Sequence, residues 1–234
     1  MVQGAVTAIM SRMSESFSSE LWDGITDIYA AILAHPFLAG MTDGSLPADA
    51  FTFYVVQDAL YLRRYAQALA AVATHAPDTA QTEMFARHAA GIVAVEMSLH
   101  DTLLADLDID PATLDTAQEA PTTLAYNSYL IANTQGGSYA DGVGTVLPCY
   151  WIYGEVGKHL LERGSPNARY QKWIGTYGGE EFDAEVRDVI AVTDKLGPEL
   201  SAVERRRVHQ HFRATSRYEW MFWDMGYRLE AWPV

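Results

Sequence analysis

Apolar residues recur at three-and-four spacing along most of the chain, the period of helices with one buried face. Between 18 and 35 the series Leu21, Trp22, Ile25, Ile28, Tyr29, Ile32 and Leu33 follows that period. Ala34-His35-Pro36 predicts its end, because the residue before a proline avoids the helical region. Gly40 to Ser45 reads as a turn, and Pro47 suits the first turn of a long helix over about 47–75. A further helix is expected over about 78–107. Asp108 to Pro121, which contains Pro111, reads as a connection. A shorter helix carrying Leu124, Tyr126, Tyr129 and Leu130 should stop at Gly136-Gly137. Ser138 and Asp141 form a capping pair for a helix running to about Arg163, and Pro148 inside it predicts a kink at Cys149. Helices over about 167–176, 180–196 and 199–228 complete the series, separated by Tyr177-Gly178-Gly179 and Gly197-Pro198. No alternating strand, internal repeat or low-complexity stretch interrupts the pattern. The expectation is an all-α bundle of seven or eight helices, a single domain over 1–234 with its core over about 20–230.

Composition narrows this picture. With 49% hydrophobic residues, six Trp and thirteen Tyr, 234 residues can build a substantial core. No apolar run reaches the roughly 18–20 residues of a membrane span, and the first dozen residues lack a secretory pattern. One cysteine excludes an internal disulfide, which points to a cytoplasmic protein. A formal charge of −14 argues against nucleic acid as a partner, since its phosphates would be repelled. The one basic cluster, Arg205-Arg206-Arg207, reads as a solvated face or a subunit contact.

Three stretches break the expected chemistry of a helical core. Phe51, Tyr54, Asp58, Tyr61 and Tyr65 fall at offsets 0, 3, 7, 10 and 14, a single stripe with a carboxylate among rings. An unpaired carboxylate there is costly or has its pKa forced up, so Asp58 is either satisfied locally or faces a ligand. Cys149 lies in Leu147-Pro148-Cys149-Tyr150-Trp151-Ile152-Tyr153, where Tyr150, Trp151 and Tyr153 could wall a flat slot and Tyr153 shares the cysteine's face. Glu219 lies in Tyr218-Glu219-Trp220-Met221-Phe222-Trp223, sharing a face with Phe212, Phe222 and Gly226. A lone cysteine is by default an inert core residue. As a nucleophile it needs a base from another helix, and His35, His75, His209, His211 and Glu219 are all open to that role.

These stretches resemble the TenA family, also called thiaminase II. The resemblance rests on Tyr54 to Leu62, Leu147 to Tyr153, Tyr170 to Tyr177 and Tyr218 to Trp223, with His35-Pro36-Phe37 and Glu96 to His100, from about residue 20 onward. It implies a haem-oxygenase-like all-α fold without haem, and a homotetramer. It further implies hydrolysis of 4-amino-5-aminomethyl-2-methylpyrimidine to the 5-hydroxymethyl compound for thiamine salvage, with thiamine cleavage as a lesser activity and no metal or organic cofactor. By that resemblance Cys149 is the nucleophile, Asp58 pairs with the ring nitrogen and 4-amino group, and Glu219 is the acid and base at the leaving group. Tyr61, Tyr126, Tyr153, Tyr177 and Phe222 match substrate-binding positions. Two other readings stay open. Glu96 and His100, at i and i+4, could contribute to a metal oxidase on the same scaffold, or the protein could bind a pyrimidine as a regulator without turnover.

Overall fold

The computed structural model describes residues 16–99, 106–107, 110 and 112–234, and every regular element among them is helical. In chain order they are α1 (Phe17–Asp23), α2 (Thr26–Leu33), α3 (Pro36–Asp43), α4 (Ala48–His75), α5 (Thr79–Leu99) and α6 (Ala112–Thr116). After these come α7 (Pro121–Gly136), α8 (Tyr139–Leu161), α9 (Ala168–Tyr177), α10 (Glu180–Leu196), a 3₁₀ turn (Gly197–Glu199) and α11 (Ala202–Arg228). The all-α expectation holds, with finer segmentation than seven or eight helices.

The differences have local causes. The stretch 18–35 is two helices rather than one, divided at Gly24, whose amide closes α1 onto Glu20 and Trp22. Pro36 ends α2 but also begins α3, because its missing N–H costs nothing at the first helical position. His35 caps that start, its Nδ1 accepting from the Phe37 amide at 3.1 Å. Helix α3 therefore occupies part of the expected Gly40–Ser45 turn, and Gly44 stops it at φ 80°, a left-handed conformation that glycine adopts without strain. The short α6 falls within the expected connection. The expectations for the first dozen residues, His100, Leu103, Asp108 and Pro111 lie outside the described residues.

Helix α8 is the axis. It starts with the expected capping box of Ser138 and Asp141, runs on through Pro148 to Leu161, and buries nearly every side chain from Ala140 to Gly157. A helix apolar all round must be covered on all sides, and α8 is covered by α4, α7, α9, α10 and α11. Two glycines set how closely they approach. A Cβ on Gly144 would stand 2.7 Å from Val208 Cγ1, so α8 and α11 touch there. A Cβ on Gly157 would stand 2.5 Å from the Tyr177 carbonyl carbon, so the end of α9 rests directly on α8.

Two of the three arginines of the basic cluster are engaged within the fold, and Arg206 is exposed. Arg205 reaches Glu20 at 2.5 Å and lies over the Phe17 ring, while Arg207 pairs with Asp141. Among the described residues no helix is long and apolar enough to cross a membrane.

Candidate active site

The aromatic stripe of α4 turns toward α8 and α11, so the three unusual stretches converge. A cavity of about 330 Å³ opens where they meet, within the range of small-molecule sites. Asp58, Tyr61, Tyr65, Cys149, Tyr150 and Tyr153 form its inner walls, with Tyr177 from the end of α9. Ile92 and Phe182 flank it nearer the surface. Of the predicted site residues, Asp58, Tyr61, Cys149, Tyr153 and Tyr177 line this space. Glu219, Tyr126 and Phe222 stand in the layer behind: the Tyr61 ring contacts those of Tyr126 at 5.0 Å and Phe222 at 5.4 Å.

Each carboxyl is buried with a tyrosine hydroxyl and no basic partner. Tyr126 donates to Glu219 Oε1 at 2.5 Å, and Tyr177 hydrogen-bonds to Asp58. Burial pushes Asp58 up to about 7, against the lowering effect of Tyr177. Glu219 goes up to about 8, again through burial, with the Tyr126 bond lowering it and Asp58 adding a small rise. Both groups therefore carry a proton for much of the time near neutrality. Among the described residues no Lys, Arg or His lines the cavity.

Burial also raises the Cys149 thiol well above its ordinary value, and the nearby Glu219 adds to the rise. The Tyr61 and Tyr65 hydroxyls act in the opposite sense from beside the sulfur. Tyr65 is already engaged, donating to the Val146 carbonyl at 2.9 Å. Tyr61 is close enough to influence the thiol, but its buried hydroxyl makes no well-formed hydrogen bond within the protein. A buried polar group left this way is usually completed by water or ligand.

The histidines named as possible bases are elsewhere. His35 caps α3 and lies 3.6 Å from Asp224, His75 is exposed at the end of α4, His209 lies near Glu20, and His211 bonds Tyr129 at 2.9 Å. None lines the cavity, and Glu219 is the named candidate whose charge reaches Cys149. Trp151 also departs from expectation: it packs on Trp22 at 4.5 Å, away from the slot that Tyr150 and Tyr153 do form. His100 and the Glu96 side chain lie outside what is described. Among the described residues no three His, Cys, Asp or Glu side chains gather as a metal-holding group.

Three lining residues, Tyr65 on α4 and Glu181 and Glu185 on α10, carry no sequence signal that singles them out as site residues. Tyr65 reads only as one more ring of the stripe. Tyr150 is held by buried His88, whose Nδ1 lies 3.0 Å from the hydroxyl and whose pKa burial pushes down to about 4, keeping the ring neutral. Glu181 and Glu185 reach the cavity from α10, a helix that reads as an ordinary surface element.

Residues 22–229 match the model of the TENA/THI-4/PQQC family. The aminopyrimidine aminohydrolase of Bacillus subtilis is 36% identical over 222 residues, covering 95% of this chain and 91% of that protein. A thiamine biosynthesis multifunctional protein, ThiED of Corynebacterium glutamicum, is also 36% identical, covering 91% of this chain and 27% of that longer one. Among solved structures, the TenA homologue from P. horikoshii superposes with a TM-score of 0.83 at 27% identity, covering 92% of this chain and 99% of that one.

Proposed function

The chain belongs to the TENA/THI-4/PQQC family, and from that premise we propose that it is an aminopyrimidine aminohydrolase of thiamine salvage. It converts 4-amino-5-aminomethyl-2-methylpyrimidine and water to the 5-hydroxymethyl compound and ammonia, and cleaves thiamine to the same pyrimidine and a thiazole more slowly. The observation that carries this reading is one cavity walled by tyrosine rings that joins the sole cysteine to Asp58, with Glu219 directly behind.

The chemistry follows from those groups. Tyrosine walls stack on a flat ring and keep water out. Asp58 meets the ring nitrogen and 4-amino group with two parallel charge-assisted hydrogen bonds, which favour the protonated ring and ionise the carboxyl. With burial pushing Asp58 up to about 7, the proton shared between it and the ring is finely balanced. A protonated pyrimidine is electron-poor. Cys149 adds its sulfur to a ring carbon as its proton passes to Glu219 in its ionised form, the named base whose charge reaches the thiol. The added electron pair expels the amine from the 5-methylene carbon, and Glu219 returns a proton to that amine. Glu219 then takes a proton from the incoming water, whose oxygen bonds to the methylene carbon. Loss of the thiolate restores the aromatic ring. A carboxyl pushed up to about 8 suits a group that must give and take protons in one cycle.

The test follows the hydroxymethyl product by chromatography from each substrate, with wild type, Cys149→Ser and Glu219→Gln. We expect faster turnover of the aminomethyl pyrimidine than of thiamine, and losses of about 10³-fold or more in both variants. Absence of product from wild type with both substrates sinks the reading.

A further inference from the structure

The cavity has an inner end that this mechanism uses and an outer end that it does not. Exposure rises along it, from Asp58, Tyr61 and Tyr65, which are nearly inaccessible, to Thr176 and Glu181, which are open to solvent. Two carboxylates stand at the outer end. Glu185 is half-buried, and its Oε1 lies 3.9 Å from where a Cβ on Gly91 would stand, so it rests against bare backbone of α5 at the lip. Glu181, one turn earlier on α10, lines the same lip.

These two differ from the other acids of their helix. Glu180 is met by Arg187 at 2.7 Å, Asp183 by Lys158 at 2.5 Å and by Arg187, and Asp188 by Arg87 at 3.9 Å. Glu181 and Glu185 hold no hydrogen bond or salt bridge among the described residues. Arg87 acts on Glu185 only at longer range, while Glu83 and Asp188 share that arginine. The unpaired acids of α10 are thus the two that face the cavity. Deeper in the same space, the buried Tyr61 hydroxyl has no partner within the protein, the mark of a cavity built for a ligand.

We propose that Glu181 and Glu185 make the mouth a cation-selective vestibule, drawing in amine-bearing pyrimidines and turning phosphate monoesters away. The proposal rests on the pyrimidine-hydrolase reading and adds to it what decides entry. A cleft lined by one sign of charge, with apolar walls such as Ile92 and Phe182, focuses its field on whatever passes through. The substrate carries an ammonium on its methylene group and thiamine a thiazolium, whereas the hydroxymethyl product is neutral there. The vestibule therefore favours substrate over product in the exchange that follows each turnover. A phosphorylated pyrimidine or thiamine monophosphate meets two carboxylates and, among the described lining residues, no cation.

The experiment compares wild type with Glu181→Gln/Glu185→Gln, and with Glu162→Gln/Glu199→Gln as a control of equal charge change outside the lining. Steady-state rates are measured for the aminomethyl pyrimidine, with inhibition by the hydroxymethyl product and by thiamine monophosphate. Binding of the same three compounds is measured calorimetrically in a Cys149→Ser background. We expect kcat/KM for the amine to fall about tenfold at low salt, mostly through KM, with the deficit shrinking as added salt screens the field. The product's inhibition constant should not move, thiamine monophosphate should bind more tightly, and the control pair should behave as wild type. Wild-type turnover with no difference between the variant pairs overturns the vestibule and leaves the hydrolase reading intact. An equal loss for the amine and the neutral product also overturns it, since the change is then one of shape. Failure of wild type to turn over or bind any of these pyrimidines overturns both.

Discussion

Asp58 and Asp141 are two aspartates with nearly the same exposure, 3% and 5%, and opposite chemistry. Asp141 accepts from the Arg207 Nε at 3.0 Å and Nη2 at 2.9 Å, and closes the capping box with Ser138. Burial alone would raise it, but the Arg207 and Ser138 hydrogen bonds outweigh burial and hold the carboxyl below its ordinary value. Asp58 has a tyrosine hydroxyl and faces the cavity, and burial pushes it up to about 7. Burial sets the cost of a charge; partners decide whether the charge is kept. The acid with a complete shell stabilises the fold, and the acid left short of partners is available to a ligand.

Three measurements can break or sharpen this contrast. The largest effect is expected on turnover: Asp58→Asn should lower kcat/KM for the aminomethyl pyrimidine by about 10³-fold, because an amide cannot take up the ring's charge. Asp141→Asn should leave that rate within about twofold, since its shell ends at Arg207, Ser138 and His211. Equal losses in both variants would erase the distinction.

The second is the pH dependence of stability. Glu219 is raised from an ordinary 4.5 to about 8, so the folded state holds its proton where the unfolded chain has lost it. Its contribution is therefore complete below pH about 4.5 and declines as pH rises toward about 8, a change on the order of a few kcal/mol. Glu219→Gln stays neutral and escapes that decline. Its Tm should match wild type near pH 5 and exceed it near pH 8, with activity abolished at both. A Tm gap that does not widen with pH would show that burial is not what raises this group.

The smallest effect concerns Asp141. Its replacement by Asn removes part of a cap and leaves Arg207, which is half-exposed, to solvent, so denaturant unfolding should report a loss of about 1–2 kcal/mol. A neutral result would mean that the cap on α8 is redundant with the packing around it.

How far the sequence discloses such differences depends on the range of the interaction. Asp58 stands out because its neighbours on one helix are rings, and Ser138 with Asp141 is a cap written three residues apart. Cys149 and Glu219 are visible for the same local reason. Arg207, by contrast, is 66 residues from Asp141, and Tyr126 is 93 from Glu219; only packing brings them together. Glu181 and Glu185 look like their neighbours on α10 until the cavity shows which way they point. Trp151 belongs to the same aromatic run as Tyr150 and Tyr153, yet the turn of α8 sends it toward Trp22. Around Pro36 the difficulty was different, since one residue signals both the end of a helix and the start of another. The family resemblance places Tyr126 with Glu219 in one site, a relationship that spacing along the chain does not contain, and is silent on Pro36, Trp151, Arg207 and the acids of α10.

The Cys149 thiol, held protonated by its surroundings, also bears on how the protein survives between encounters with substrate. Peroxides and alkylating agents react with thiolates far faster than with thiols. A sulfur whose proton is held by burial, and which has no histidine or lysine among the described residues lining its cavity, offers them little. On the proposed mechanism its reactivity is lent by the bound substrate and withdrawn on release. The same low dielectric that holds the proton on this sulfur keeps it off the ladder of sulfenic and sulfinic acids.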